Sequence, residues 1–322
     1  MLAVRAARTG GPEVLEVVDL PVPEPGPGQL RIRQHAIGIN FIDTYFRSGL
    51  YPMRMPAVLG QEGAGVVDAI GEGVEGWAIG ERVYAGQAGA YAELTLASAA
   101  RAIRLPDSIS FELAAAGMLK GMTAEFLLRR CYPLRAGETI LVHAAAGGVG
   151  SILVQWANAL GAVVIGTVGS EAKAELVRTY GCDHVILYRD EDVAARVREI
   201  TDGKGVPVAY DSVGKDTFEG TLASLARLGM FVSFGNASGP APAVDPIRLM
   251  RAGSLFFTRP TMADYTATRA DLELSANAFF AVVASGAVKV EIGQTFPLRE
   301  ARRAHEALES RATIGSSVLL PG

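Results

Sequence analysis

The hydrophobic pattern between residues 139 and 258 alternates between two periods. Short apolar runs rich in β-branched residues predict strands, and longer segments that are apolar at helical spacing lie between them. This alternation is typical of a parallel sheet with helices on both faces. The predicted strands are Thr139–Ala144, Val163–Val168, His184–Leu187, Val206–Asp211, Met230–Phe234 and Ser254–Thr258, and the predicted helices are Gly148–Leu160, Glu171–Tyr180, Val193–Thr201 and Lys215–Ala226.

The first third of the chain has a different pattern, in which short stretches of alternating polar and apolar residues predict strands. Glycines recur from Gly60 to Gly89, and glycine this regular in short-stranded β structure predicts a curled, barrel-like sheet. A short helix is predicted from Asn40 to Arg47. Helical material from Phe111 to about Arg130 is expected to be interrupted near Gly117 and Gly121.

These patterns predict an α/β protein with two domains. Residues 1–122 form the first part of a mostly β, barrel-like domain, and residues 123–262 form a Rossmann-type, doubly wound parallel sheet. The tail, 263–322, contains the predicted helices Ala270–Ser285 and Leu298–Ser310 and two short strands. We expect it to return to the first domain, because the doubly wound unit is already complete.

The clearest motif is the small-residue turn between the first strand and the first helix of the alternating region. The order strand, tight turn, helix is that of a dinucleotide-binding βαβ unit. Gly147 lets the backbone approach a pyrophosphate, Gly150 lets the helix pack closely on the strand, and the N–H groups that begin the helix face the phosphates. Ala145 replaces the first glycine of the usual pattern, so an ordinary small-residue turn is the alternative.

Small residues also follow three other predicted strands, at the sheet edge where ligands of open parallel sheets bind. Each alone could be an ordinary strand-ending turn, but the four together favour a ligand site. The Phe234-Gly235-Asn236 corner is expected beside a nicotinamide. The cofactor candidates on this edge are Ala145, Gly147, Gly148, Val149, Gly150, Gly169, Ser170, Ser212, Phe234, Gly235 and Asn236.

The end of the second strand distinguishes the two nicotinamide dinucleotides. An NAD enzyme usually has Asp or Glu there to hold the ribose 2′-hydroxyl. That window reads Gly166 to Ser170 without an acid, and Lys173 follows one turn later, which favours NADPH. The acidic Glu171 argues against a 2′-phosphate, although a carboxylate in the first turn of a helix can point away from the site. Lys173 could equally be a solvated helix residue.

Composition narrows the class of protein. Thirty basic and thirty-four acidic residues give a net charge of −4, and no basic run offers a face for nucleic acid. No apolar run reaches the length of a membrane span, and the first residues lack the apolar core of a secretory signal. We expect a cytoplasmic enzyme without a membrane partner. Cys131 and Cys182 are expected to be free thiols.

Motifs spread over nearly the whole chain resemble the zinc-independent quinone oxidoreductases of the medium-chain dehydrogenase/reductase superfamily, the zeta-crystallin-like group. They are Gly10–Leu15, Gly38–Tyr45, Arg47–Tyr51, Leu119–Ala124, His143–Gly150, Tyr210–Gly214, Val232–Gly239 and Glu309–Thr313. The resemblance implies a GroES-like catalytic domain, NADPH as cofactor and a homodimer. The Ser254–Thr258 strand is apolar enough to pair across a twofold axis. In the superfamily's alcohol dehydrogenases, a Cys and a His hold the catalytic zinc. The matching segments here read Gly38-Ile39-Asn40 and Gly60-Gln61-Glu62, so no metal is expected.

The resemblance also implies roles for individual residues. Asn40, Asp43, Tyr45 and Tyr51 are expected to line the cleft beside the nicotinamide, where Asn40 or Tyr45 could hydrogen-bond a developing oxyanion. Packing roles are the alternative for the tyrosines and a helix-turn role for Asp43. His143 is expected to be a satisfied core histidine, and His35 and His305 have no visible partner. Further residues expected at the cofactor are Lys120, Thr123, Lys173, Tyr188, Arg311 and Ser316.

The implied activity is NADPH-dependent reduction of a quinone in the cleft between the domains. A quinone needs little electrophilic help because its reduced product is aromatic. Two alternatives stay open. One is NADPH-dependent reduction of an activated alkene, an enone or enal, which needs an acid for the α carbon. The other is a non-enzymatic role, RNA-binding or crystallin-like, which the missing basic patch disfavours.

Overall fold

The computed structural model describes residues 1–310 and 313–322. Its first elements, in chain order, are β1 (Leu2–Ala6), β2 (Leu15–Asp19), β3 (Gln29–Ile39), α1 (Phe41–Ser48), β4 (Ala57–Val58), β5 (Gly63–Ile70), β6 (Arg82–Ala85), β7 (Leu94–Ser98), β8 (Ile103–Arg104) and α2 (Phe111–Phe126). A π-helical turn, Leu127–Cys131, extends α2.

The chain continues with an alternating region and a tail. The elements are β9 (Thr139–Val142), α3 (Gly148–Ala159), β10 (Val163–Val168), α4 (Glu171–Thr179), β11 (His184–Leu187), α5 (Val193–Ile200), β12 (Val206–Asp211), α6 (Phe218–Ser224), β13 (Leu225–Ser233), α7 (Pro246–Arg251), β14 (Phe256–Thr258), α8 (Met262–Tyr265), α9 (Arg269–Ala284), β15 (Ile292–Pro297), α10 (Ala301–Glu309) and β16 (Ser316–Leu320).

The chain divides into two compact units. The first contains residues 1–120, 268–280 and 290–322, and the second contains residues 121–267 and 281–289. The second unit therefore includes Ala281–Lys289, a segment of the tail that the sequence pattern assigns to the first domain. Among the described residues, no helix combines the length and the apolar character that crossing a membrane requires.

The second unit is built on a six-stranded parallel sheet in the order β11-β10-β9-β12-β13-β14. This is the doubly wound order, with the first strand of the motif at the centre, and it confirms the predicted Rossmann-type sheet. Leu141, Ile165 and Ile186 from neighbouring strands pack with Val197 of α5 in one buried cluster. The central strands β9, β10 and β12 are almost entirely buried, which explains why they read as continuous apolar runs.

The first unit contains a seven-stranded sheet and a three-stranded sheet. The larger follows the order β15-β16-β3-β5-β6-β8, with β7 also paired to β3, and the smaller follows β2-β1-β4. Leu30 and Ile32 of β3 pack with Val67 and Val83 in the core of the larger sheet. The mostly β, barrel-like fold predicted for this part of the chain is confirmed.

Several elements differ from the predictions, and three of these differences concern α2, β9 and β13. Helix α2 is not interrupted at Gly117, because this glycine serves close packing: an added Cβ would lie 2.7 Å from the Phe279 ring. Strand β9 ends at Val142, before Ala144 turns the chain with a φ of 51°. Strand β13 begins at Leu225 rather than Met230, so α6 is shorter than its apolar pattern suggested.

Candidate functional site

The turn after β9 has the geometry of an anion site. Helix α3 begins after Gly147, whose N–H closes the turn on the Ala144 carbonyl at 2.9 Å. Gly147 has no side chain to accept the N–H groups of the first helical turn. The N–H groups of Gly148, Val149 and Gly150 therefore have no partner within the helix and are available to an anion.

Two small residues in this turn have structural duties. A Cβ on Gly150 would lie far inside van der Waals distance of the Ala144 carbonyl oxygen, so glycine is required there. Ala145 is fully buried, and its N–H donates to the Thr167 carbonyl at 3.1 Å. Ala145 thus ties the turn to β10 and keeps its own N–H from a ligand.

The carboxyl end of β10 gathers the residues expected at a 2′-phosphate. Ser170 caps α4 with extended backbone and makes no side-chain cap bond. A Cβ on Gly169 would lie 2.6 Å from the Tyr188 hydroxyl and 3.4 Å from Arg189 Nε, so both side chains cover this glycine. Burial lowers the pKa of Lys173, and the charge of Arg189 lowers it further. Two cations therefore lie near each other at this edge.

Arg189 was missed in the sequence, where it follows the third strand rather than the second. The signal that could have found it is its place directly after Tyr188, at the same sheet edge. The acid that disfavoured a phosphate, Glu171, forms an ion pair with Arg178 at 2.8 Å. Its carboxylate is therefore directed to its own helix.

The ends of β12 and β13 lie against each other. The buried carboxylate of Asp211 accepts from the N–H groups of Val213 and Gly214 at 2.7 and 3.0 Å, which fixes the turn around Ser212. A Cβ on Gly235 would collide with the Ser212 carbonyl oxygen, so the chain after Phe234 passes close over this turn.

His143 is the satisfied core histidine that the sequence predicted. Its ring nitrogens lie 3.1 Å from Thr167 Oγ1 and 2.9 Å from Thr221 Oγ1. Burial lowers its pKa, and the charge of Asp211 only partly opposes this effect. A neutral imidazole with both ring nitrogens hydrogen-bonded has no free nitrogen for acid–base catalysis.

In the first unit, Asn40 belongs to a buried group of residues around one carboxylate, here called the Glu62 cluster: Asn40, Glu62, Tyr84, Leu119 and Lys120. Glu62 Oε1 accepts from Asn40 Nδ2 at 2.8 Å and from Lys120 Nζ at 3.4 Å. Its Oε2 accepts from the Tyr84 hydroxyl at 3.1 Å and from the Leu119 N–H at 2.9 Å. The carboxylate is fully buried and has four donors.

Asp43 begins a second buried network with Tyr91, His305 and Arg47, and Arg47 pairs at its end with the exposed Glu309 at 2.6 Å. Its Oδ2 accepts from the Asn40 N–H at 2.8 Å and from the Tyr91 hydroxyl at 2.9 Å, and its Oδ1 has no partner among the described residues. Tyr91 also lies 3.0 Å from His305 Nε2. Burial raises the pKa of Asp43 to about 7. His305 thus has partners, which its position in the sequence could not show.

The other candidates of the first unit are placed as follows. Tyr45 and Tyr51 pack edge to face with ring centroids 5.3 Å apart, and Tyr45 is buried. The N–H of the buried Ser316 donates to the Glu291 carbonyl at 2.8 Å. Thr123 lies buried on α2, in the second unit. Arg311 lies outside the described residues.

The two segments that match the zinc-ligand positions of alcohol dehydrogenases meet through Asn40 and Glu62, whose side chains bond to each other. Among residues 1–310 and 313–322, no group of three or more His, Cys, Asp or Glu side chains is arranged to hold a metal ion. At the position of the zinc site in alcohol dehydrogenases, the Glu62 carboxylate thus accepts hydrogen bonds from the Asn40 amide and the Lys120 ammonium.

Comparisons with known proteins identify the family. Residues 148–280 match the zinc-binding dehydrogenase family, and residues 26–107 match the alcohol dehydrogenase GroES-like domain. A quinone oxidoreductase of Pseudomonas aeruginosa is 53% identical over 321 residues, 99% of each chain, and a 2-haloacrylate reductase of a Burkholderia species is 44% identical over 100% of this chain and 99% of its own. The crystal structure of Escherichia coli quinone oxidoreductase complexed with NADPH matches with a TM-score of 0.98 at 48% identity, covering 100% of both chains. The chain therefore belongs to the quinone oxidoreductases of the medium-chain dehydrogenase/reductase superfamily.

Proposed function

We propose that this protein catalyses the NADPH-dependent reduction of a quinone. The observation that carries the proposal is the pair of cations, Lys173 and Arg189, beside Ser170 at the carboxyl end of β10. Two cations near each other favour a dianionic ligand group, and the neighbouring acid, Glu171, is engaged by Arg178. A ribose 2′-phosphate is such a group.

The rest of the dinucleotide would follow the same sheet edge. The pyrophosphate would bind the N–H groups of Gly148, Val149 and Gly150, and the nicotinamide would lie beside Phe234, Gly235 and Asn236. Ser170, Lys173, Tyr188 and Arg189 would surround the 2′-phosphate. The related E. coli enzyme of nearly identical fold carries NADPH in its crystal structure, which supports this assignment. Further contacts are proposed for Gly169, Ser212, Thr123, Arg311 and Ser316.

Bound NADPH supplies a hydride from C4 of its dihydronicotinamide. The quinone takes up this hydride with both electrons, and one proton from water completes the hydroquinone. The protein has to hold the acceptor and stabilise the negative charge that forms on its oxygen. Asn40 is proposed for this role, because Glu62 and the N–H bond to Asp43 fix its position. Tyr45 and Tyr51 would provide an aromatic wall for the acceptor ring.

A second candidate activity is the reduction of an activated alkene. A relative that is 44% identical over the whole chain is a 2-haloacrylate reductase, which favours this chemistry on the same scaffold. Hydride addition to carbon leaves a carbanion at the α carbon, which an acid must protonate. Tyr45 or Tyr51 would be that acid.

The decisive experiment measures NADPH and NADH oxidation with a panel of quinones, small enones and 2-haloacrylates. We expect turnover with quinones and a strong preference for NADPH. If alkenes are reduced and quinones are not, the second candidate is favoured. Absence of turnover with every acceptor would refute both.

We also propose a homodimer that pairs through β14. This strand is one of the two edges of the parallel sheet, and Phe256 on it is 57% exposed. An apolar edge strand is prone to uncontrolled pairing unless a partner covers it. Sedimentation velocity of the protein and of Phe256→Lys tests this, since a dimer that uses this edge should dissociate in the variant.

A further inference from the structure

The Glu62 cluster holds two donors of different kinds on one oxygen. Tyr84 and Leu119 occupy Oε2, whereas Asn40 and Lys120 converge on Oε1 at 2.8 and 3.4 Å. The amide and the ammonium therefore lie side by side. Gly38 belongs to this arrangement, because a Cβ at that position would collide with the Glu62 carboxylate and the Ala115 carbonyl. The fold leaves room for this carboxylate and surrounds it with donors.

Lys120 is only 4% exposed, although its ammonium has three N–H groups to satisfy. Its single contact with Glu62 is long for a charge-assisted bond, which is ordinarily 2.7–2.9 Å. Among the residues that the structure describes, the ammonium makes no other hydrogen bond or ion pair. A buried cation with spare donors is costly unless a ligand engages it.

We propose that Lys120 is a catalytic residue that contacts the oxygen of the acceptor beside Asn40, with Glu62 as the positioning residue for both. This inference rests on the proposed quinone reductase activity. The family resemblance implies cofactor contact for Lys120, whereas the shared carboxylate oxygen places its ammonium beside the Asn40 amide.

The proposed step transfers one hydride and one proton to the quinone. The C4–H bond of the dihydronicotinamide breaks, and the hydride with its two electrons reduces the quinone. An acceptor oxygen then carries a full negative charge until a proton from water converts it to hydroxyl. Lys120 keeps its protons throughout and supplies a positive charge and a hydrogen bond to this oxygen. In a water-excluded site, such a donor lowers the barrier because it is oriented before the charge develops.

The test compares Lys120→Met, which removes the charge but keeps a long side chain, with Lys120→Arg, which keeps the charge. The double variant Glu62→Gln/Lys120→Met removes both buried charges, so neither is left uncompensated if the single variant fails to fold. The exposed Lys204→Met is the matched control. For each protein, kcat/KM is measured over a series of quinones of decreasing reduction potential, and NADPH affinity is measured separately by fluorescence.

We expect Lys120→Met and the double variant to lose about 10- to 100-fold in kcat/KM for low-potential quinones, whose reduced anions are most basic, and less for high-potential ones. NADPH affinity should be unchanged, and Lys120→Arg should restore much of the loss. An equal loss for all quinones, or a loss of NADPH affinity, would overturn the proposal.

A measurement without turnover gives a second readout. 4-Nitrophenol resembles the reduced acceptor, and its visible absorbance reports the phenolate. In the presence of NADP⁺, the wild-type protein should bind the phenolate and lower the apparent pKa of the bound phenol, and Lys120→Met should not. An equal shift in both proteins would overturn the role of Lys120. A wild type that reduces no quinone refutes the proposed function instead, so the two failures are distinguishable.

Discussion

The imidazole of His305 lies 2.9 Å, through Nδ1, from the guanidinium of Arg47, although 258 positions separate the two residues. A guanidinium can only donate, so Nδ1 must accept and Nε2 must carry the proton. Nε2 then donates to the Tyr91 oxygen, and the Tyr91 hydroxyl donates to Asp43. The direction of each hydrogen bond from His305 through Tyr91 to Asp43 thus follows from the Arg47 guanidinium.

Tyr91→Phe should destabilise the protein by about 1–3 kcal/mol, because it leaves the buried His305 Nε2–H without its acceptor and removes a donor from Asp43. Urea denaturation measures the change. The control is Tyr132→Phe. The Tyr132 hydroxyl donates to Glu138 at a half-exposed position, so its removal should lower the free energy of unfolding by less. Equal losses in the free energy of unfolding for the two variants would show that the buried network contributes no more than a half-exposed hydrogen bond.

The pH dependence of stability should change in Asp43→Asn. The pKa of Asp43 is about 7 in the folded protein against an ordinary 3.8, so between those values the folded state binds a proton that the unfolded state releases. Its contribution is therefore lost as the pH rises through this window. Burial, helped by Arg47, lowers the pKa of His305 from 6.5 to about 3, so its contribution is lost as the pH falls through that window.

Between about pH 4 and 6.5 the two effects oppose each other. Removing the Asp43 carboxyl leaves the His305 effect alone, so the variant should lose stability relative to the wild type as the pH falls from 7 to 4, by roughly 1.4 kcal/mol per pH unit at most. Denaturant unfolding of both proteins at several pH values measures the two slopes. Parallel slopes would contradict the assigned ionisation of Asp43.

Recognition of the 2′-phosphate should depend on both cations. Lys173→Ala or Arg189→Ala should raise the KM for NADPH severalfold or more, since each removes a positive charge that would pair with the 2′-phosphate. Neither should change the KM for NADH appreciably, because NADH lacks that phosphate. Glu171→Gln is the control, because its carboxylate faces Arg178. Steady-state kinetics with both cofactors decide, and equal effects on NADPH and NADH would remove the case for a phosphate site.

Gly150→Ala should cost about 1–3 kcal/mol of stability and weaken NADPH binding, because the new methyl group would collide with the Ala144 carbonyl and deform the turn. Gly220→Ala on α6 is the matched control. A Cβ there meets nothing within 4 Å, so this substitution should be neutral or stabilise the helix by up to about 1 kcal/mol. Chemical denaturation compares the two, and similar outcomes would refute the steric argument.

Much of the second unit could be read from the sequence. Period-2 and helical apolar patterns are local properties, and they placed β10, β11 and β12 at the observed bounds. The errors lay where tertiary contacts overrule local preference. Gly117 read as a break in α2, yet it is a packing position under the Phe279 ring. Such a contact joins residues more than 150 positions apart, so no local window contains it.

The sequence by itself determined the alternating sheet, the small-residue turn before α3 and the acid-free end of β10, because each of these is a feature of neighbouring residues. Only the tertiary structure decided that Lys120 and Asn40 share one oxygen of Glu62 and that His305 is held by Arg47 and Tyr91. A buried charge or imidazole takes its properties from partners that folding brings within about 3 Å, and the order of the residues along the chain does not contain that distance.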